Sequence, residues 1–514
     1  MTLPLLALLL LFLFLTYHFL LHPLLLSPLS QIPSAHWSSP LSPLWILHLR
    51  RRGRPNATIH ALHLKYGPLL RLGPNELSVN CVDGGIRTVY GGGYEKGDWY
   101  AVFRNYGVSN VFSSASRGEH SARKRMLSNV YAKTTLLGSG TLKAVERRVV
   151  GERLVPFLRG VMGRGEEVEM YSLFSGAAMD FVTGYIFGLK CGSDFLGDPE
   201  RCHKWVMDYK ARQEFIFWPQ EMPGLVAWAK RLGCRHWLVP EWVDQANQNI
   251  EDWVMGLCDA AGGIFPERAG LKDGDRAVVY DQLRTMMKKG RGEGPDNALT
   301  TNERLEIASE LLDHVAAGFD TTGITLTYLA WELSKPSNLE IQQLLRKELH
   351  EQQAPVDASE GGAILDLKEL DNLPVLHAPR VTPPNAELGP SGNTVKGIPA
   401  GVRVNAQAYS LHLNEDVFPD PDKWEPRRWL TSEGGTDTGG EKSRWFWAFS
   451  SGGRMCIGSN LAMLEMKSIV AAIWGNFATS MADDRGMTHN DGYTSEPHGT
   501  PDGAYLRLRF AAVT

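Results

Sequence analysis

Hydrophobic and polar positions follow different rhythms along this chain, and each rhythm predicts an element. Residues 3–26 are almost wholly apolar and contain no Asp, Glu, Lys or Arg. As a helix they would run about 36 Å, enough to cross a bilayer core of about 30 Å. A secretory leader has a shorter apolar core, and neither a basic start nor a small-x-small cleavage site is present. A retained single-span anchor is therefore expected over residues 1–26. Pro28, Pro33, Pro40 and Pro43 then make a stiff spacer that cannot continue a helix. Arg50, Arg51, Arg52 and Arg54 follow, and by the positive-inside rule they place the main domain in the cytosol. Residues 27–54 read as this proline-rich linker with its basic stretch, and residues 55–514 as one domain.

Within that domain, residues 68–79 read as two short strands around Gly73-Pro74-Asn75. Residues 140–300 read as mostly helical, broken by polar linkers at 260–274 and 289–296. Ile307, Leu311, Leu312 and Val315 recur at helical spacing, which predicts a long helix over 303–335, stopped by Pro336. The run 459–477 is apolar, of helical composition and free of proline. A hairpin at 391–401 and a strand in 504–510 supply β structure near the C-terminus. The fold class is mainly α with small β-sheets.

The chain has 514 residues, 43% of them hydrophobic, and 15 Trp, which allows a large aromatic-rich core. A net charge of −4 with no basic stripe argues against a nucleic-acid partner. Six scattered cysteines with no Cys-x-x-Cys read as reduced thiols, and no zinc-ligand spacing occurs.

One cysteine stands apart. Cys456 lies in Phe449-Ser-Ser-Gly-Gly-Arg-Met-Cys-Ile-Gly458, just ahead of the apolar run. A thiolate at a helix N-terminus is stabilised by unpaired N–H groups and the dipole. Glycines let the backbone approach a flat ligand, and Arg454 can pair with a carboxylate on it. Together these describe a site for a thiolate-ligated haem iron. The predicted long helix is weak in its middle, Ala316-Ala-Gly-Phe-Asp-Thr-Thr-Gly323. Two Gly, two Thr and an Asp should bulge or widen it there, which marks a place for function.

The cysteine loop resembles the haem loop of the cytochromes P-450, Phe-x-x-Gly-x-Arg-x-Cys-x-Gly, with Phe449, Gly452, Arg454, Cys456 and Gly458 at the defined positions. The helix centre resembles the family's oxygen-binding groove. The resemblance implies a cytochrome P-450 fold and haem b, with Cys456 as the axial ligand to its iron. Ala317 and Gly318 would leave room for dioxygen, Thr321 would hydrogen-bond the bound oxygen, and Asp320 would relay protons. In His120-Ser-Ala-Arg-Lys-Arg-Met126, a basic helical turn that alone reads as a solvated face, it implies His120 with Lys124 or Arg125 on the haem propionates. Arg380 resembles a further propionate ligand. The aromatic belt Phe215 to Trp218, Trp228, Trp237 and Trp242 reads as core packing from composition; the resemblance suggests a substrate-access region leaning on the membrane surface.

The activity implied is a haem-thiolate monooxygenase of the fungal microsomal kind, acting in secondary metabolism on a small apolar or amphipathic molecule. It would sit in the endoplasmic reticulum membrane beside lipid. No Gly-x-Gly-x-x-Gly or flavin-type segment is evident, so electrons would come from NADPH through the separate NADPH-cytochrome P-450 reductase. Two alternatives stay open: a haem-thiolate isomerase or dehydratase that does not use dioxygen, and a non-catalytic relic. Asp320 and Thr321 argue against the first, because such chemistry needs no proton relay.

The second rests on a departure from the family pattern. The family has a helix containing Glu-x-x-Arg before its final strands. Here residues 370–378 open like that helix and pass at once into Pro379-Arg-Val-Thr-Pro-Pro384, whose prolines forbid a helix. Glu425…Arg428 contains Pro426 and Glu441…Arg444 lies in a Gly-rich stretch, so neither replaces it. Roughly 12–18 residues are missing at 3.6 per turn. Arg428, at the position that would pair with the lost residues, is left without that buried carboxylate. Breaking such a triad costs about 3–5 kcal/mol, so weak haem uptake is expected.

Overall fold

The computed structural model describes residues 2–294, 297–351, 379–430, 440–492, 494–501 and 503–512. The expected helix opening at 370–378 lies outside these residues.

The apolar amino end is one continuous rod. It is α-helical over Thr2–Thr16 and more loosely wound over Tyr17–Leu26, where Pro23 removes one backbone donor. Residues Pro4–Leu26 form a helix long and apolar enough to cross a membrane, and none of it is buried against the rest of the chain. Arg71 clips its end to the domain, donating Nη1 to the Pro23 carbonyl at 2.8 Å and Nη2 to that of Pro74 at 2.9 Å.

The residues after this apolar helix pack onto the rest of the chain: Leu29, Ile32 and Ile46 are buried. Arg50 does not face solvent with the other arginines of the basic stretch. It pairs with Glu76 and, at 3.1 Å, with Glu221, which also accepts from Arg403 at 2.7 Å and from Trp99 Nε1 at 3.0 Å. Two guanidinium groups and two carboxylates thus tie the start of the domain to the helix Phe217–Glu221.

The β structure is small, as expected. Strands β1 (Leu69–Gly73) and β2 (Glu76–Val79) form the predicted hairpin. The short strand β3 is Val168–Glu169. Strands β4 (Arg380–Val381) and β7 (Arg403–Ala406) join the first pair in the order β1-β2-β7-β4. Strands β5 (Ala386–Leu388) and β6 (Val395–Ile398) make the second hairpin, beginning earlier than residue 391. The carboxyl-terminal strand β9 (Arg507–Ala512) pairs with β8 (Phe477–Asp483) and β3.

The helices hold the larger core. Thr301–Ser334 is one helix of 34 residues, opened by a capping box between Thr300 and Glu303 and followed by Pro336. It packs along Met170–Phe187, a helix buried on every side except at Ser172. The helix Ser459–Asn476 completes this core through Ile469, Val470, Ile473 and Trp474. The expected bulge at 316–323 does not form: the helix is regular throughout. Its threonines bond back along their own helix, Thr321 Oγ1 to the Ala317 carbonyl at 2.8 Å and Thr327 Oγ1 to that of Gly323 at 2.7 Å, so no backbone bond is broken.

The aromatic belt is a surface feature and not core. Trp237 is 79% exposed and Trp228 58%. Trp228 sits on the short helix Pro223–Arg231 and Trp237 on the single turn Arg235–Trp237.

Candidate active site

The cysteine loop is shaped by its backbone. Gly452 adopts φ +66° and Ser450 φ +59°, conformations that turn the chain sharply. The Cys456 N–H then donates to the Phe449 carbonyl at 2.9 Å, and the Met455 N–H to that of Gly452 at 3.1 Å. Gly458 caps the helix Ser459–Asn476, so Cys456 sits at the helix entrance with an exposed thiol. The expected stabilisation of a thiolate is present but outweighed. Burial of the surroundings pushes the Cys456 thiol up, against the N–H groups of Gly458 and Ser459 and the Lys124 ammonium, which pull it down. A coordinating metal ion is what deprotonates such a thiol outright.

Facing it is the long helix. Ala317 and Thr321 are exposed although they lie mid-helix in the centre of the molecule. With Asp313 they stand at i, i+4 and i+8, one above another on one face. Asp313 is near enough that its carboxylate raises the Cys456 thiol further. At Gly318 a Cβ would lie 2.8 Å from Val182 Cγ2, so its smallness lets the neighbouring helix approach. Asp320 points away from the Thr321 side and is buried. Tyr209 Oη donates to its Oδ2 at 3.4 Å, and burial, helped by Glu496, lifts its carboxyl to about 7.

Beside the thiol, cations converge. His120 and Arg380 are buried, and so is Lys96, which sequence reading missed because no motif marks it. Arg454 donates Nη1 and Nη2 to the Ser114 and Ala115 carbonyls, both at 3.4 Å. Burial together with Arg380 lowers Arg454 to about 10. Burial, then Arg454, Lys96, Lys124 and Arg380 hold His120 down at about 3. Lys96 is lowered far below its ordinary value by burial and by Arg380 and Arg454. Among the described residues, Lys96, Lys124 and Arg454 form no ion pair with a carboxylate. Such crowding of like charge suits a ligand with two carboxylates, and an exposed thiol in the same space suits its metal. These residues therefore fit haem.

Lys124 is placed differently from the propionate role expected of it. Its ammonium donates to the carbonyls of Gly453 at 3.1 Å and Met455 at 2.7 Å, bracing the cysteine loop. Arg125, the next residue on its helix, is exposed. Arg428 is not stranded: it donates to the carbonyls of Glu425, Pro419, Asp420 and Lys423, with the last at 2.8 Å. These main-chain oxygens take up its guanidinium.

A cavity of about 790 Å³ runs from the surface near Arg50 and Pro219 to the long helix at Leu312, Asp313 and Ala316. Trp99, Phe103 and Phe215 wall it, together with Tyr209 and Arg212.

Comparison with known proteins agrees with this geometry. The family model described as Cytochrome P450 matches residues 38–379 and 390–496. The chain is 27% identical over 426 residues to the cytochrome P450 monooxygenase avaI of Aspergillus versicolor, covering 78% of this chain and 92% of that one. It is 25% identical over 485 residues to the cytochrome P450 monooxygenase macH of Penicillium terrestre, covering 89% and 85%. It is also 25% identical over 490 residues to the benzoate 4-monooxygenase bphA of Aspergillus niger, covering 90% of each. A loop-borne thiol under a long helix, ringed by cations and matched by the family model along most of the chain, makes this protein a member of the cytochrome P450 family, with the monooxygenases of that family as its relatives.

Proposed function

We propose that this chain is a membrane-anchored haem-thiolate monooxygenase that places one oxygen atom from dioxygen into a small organic substrate and the other into water. The observation that carries the reading is the exposed Cys456 thiol facing the exposed Ala317–Thr321 face of the long helix. Bound haem supplies the redox-active iron at which dioxygen is activated.

The chain's own residues do the rest. Cys456 Sγ holds the iron, and the N–H groups of Gly458 and Ser459 with Lys124 stabilise its negative charge. Arg454, Arg380 and Lys96 would neutralise the two carboxylates, and the uncharged His120 would hydrogen-bond to one of them. Thr321 Oγ1, resting on the Ala317 carbonyl, presents a hydroxyl to the reacting space. Asp320, at about 7, is part protonated at neutral pH, so it can give up and regain a proton while Tyr209 steadies its Oδ2.

In this reading residues 1–26 are the single-pass anchor in the endoplasmic reticulum, 27–54 the link, and 55–514 the cytosolic catalytic domain. The exposed Trp228 and Trp237 lie on lipid, and electrons arrive from an NADPH-dependent flavoprotein reductase. The likeness to monooxygenases of Aspergillus and Penicillium is the ground for placing the chain in fungal secondary metabolism. A second reading, an impaired haem protein, draws on the absent Glu-x-x-Arg helix and on the break in the family match between residues 379 and 390. One measurement separates the two. Full-length chain expressed with a reductase should give the reduced carbon monoxide spectrum of a thiolate-ligated haem, and Cys456→Ser should lose it. Membranes rich in the protein but lacking that spectrum would establish the second reading.

A further inference from the structure

The cavity carries two opposite charges that do not meet. Arg212, half-buried on the helix Pro199–Glu214, donates Nη2 to Asn105 Oδ1 at 2.8 Å. Asp313, half-buried on the long helix, forms no hydrogen bond or ion pair among the described residues. Both side chains line the same cavity, and each lies in the other's field.

The neighbours of Asp313 show that its lack of a partner is particular to it. Glu310, one turn earlier, accepts the Val111 N–H at 3.1 Å and faces Arg123 at 3.5 Å. His314 meets the Tyr131 hydroxyl through Nδ1 at 2.8 Å. Burial, with Glu310, lifts the Asp313 carboxyl to about 7 against His314, then Lys96 and Arg212, and the Glu310 and His314 ligand atoms lie within 4.8 Å of it without bonding it. Its side chain lines the open cavity, so whatever fills that cavity can hydrogen-bond the carboxylate. The same cavity offers, from a second helix, guanidinium N–H groups beyond the one given to Asn105.

An acceptor on one wall and a donor on another call for a ligand group that donates in one direction and accepts in the other. A trans secondary amide does this, because its N–H and C=O point oppositely from one rigid plane. We propose that the substrate of this chain bears a secondary amide, its N–H on the Asp313 carboxyl and its carbonyl on the Arg212 guanidinium. Apolar arms of the substrate lie on Trp99, Phe103 and Phe215. From Asp313 to Thr321 the helix rises roughly 12 Å, so the oxidised carbon lies on the arm extending past Ala317 and not beside the amide. This rests on the monooxygenase reading, since it takes the cavity as the substrate pocket.

The test uses the full-length holoprotein in detergent, mildly alkaline buffer, and equilibrium dialysis of two probes of equal shape. N-benzylbenzamide has the N–H and the carbonyl; benzyl benzoate has the carbonyl alone. A hydrogen bond to a charged group is worth about 1.5–3 kcal/mol, so the amide should bind about tenfold to a hundredfold more tightly. Asp313→Leu should erase that preference and leave the ester within about threefold, while Arg212→Met should weaken both probes. Equal binding of the two by the unaltered protein, a preference that survives Asp313→Leu, loss of the ester in that variant, or no binding of either probe would overturn the proposal. The carbon monoxide spectrum of the same preparation reads the haem separately, so failure of the monooxygenase reading is seen independently of failure of the amide site.

Discussion

Replacing Asp320 by Asn separates the chemical role of this residue from its cost to the fold. Asp320 is buried mid-helix, and burial, with Glu496 second, lifts its carboxyl from 3.8 to about 7 against Lys210, Tyr209 and Gln213. A carboxyl raised on folding stabilises the protein fully below its ordinary value, and that stability is lost as pH rises through about 7. At 1.36 kcal/mol for each tenfold change, the rise corresponds to about 4 kcal/mol once the group is ionised. Asn keeps an acceptor for Tyr209 and carries no charge. Asp320→Asn should therefore unfold at a higher temperature than the unaltered chain in alkaline buffer, while the two converge in acid. Turnover should fall and release of reduced oxygen by-products should rise, because the proton donor is gone. Thermal unfolding followed by circular dichroism across the pH range reads the first effect. An equal offset at both ends of the range, or a less stable variant in alkali, would refute the reasoning.

Three further outcomes are expected. Burial works against ionisation of Glu221, but Arg50 and Arg403 outweigh it and hold the carboxyl at about 2, so Glu221→Gln should cost about 3 kcal/mol at neutral pH. That loss should shrink as pH falls through the Glu221 value, and denaturant titration of the two proteins at neutral and acid pH checks it. Gly318→Ala puts a methyl group against Val182, which should cost about 1–3 kcal/mol; Val182→Ala in the same chain should restore most of it, as paired melting curves would reveal. Carbonate extraction of membranes should leave the full-length chain in the pellet, and deletion of residues 2–26 should release it.

Much of this protein was legible in one dimension. The Cys456 loop, the long helix with Asp320 and Thr321, and the first hairpin announce themselves because each depends on residues close together in sequence: glycine turns, 3.6-residue periodicity, a proline stop. What folding decided was direction and company. Lys124 and Arg125 are adjacent in the chain, yet one braces the cysteine loop and the other meets solvent, since helix phase is set by packing. Gly318 is small because of Val182, a residue well over a hundred positions earlier on another helix. Asp313 carries no motif at all; its place opposite Arg212 exists only once the two helices cross the same cavity. Local sequence settles which backbone conformations are cheap, whereas the environment of a charge depends on elements far away along the chain. That is why the haem loop could be read directly and the polar pair in the cavity could not.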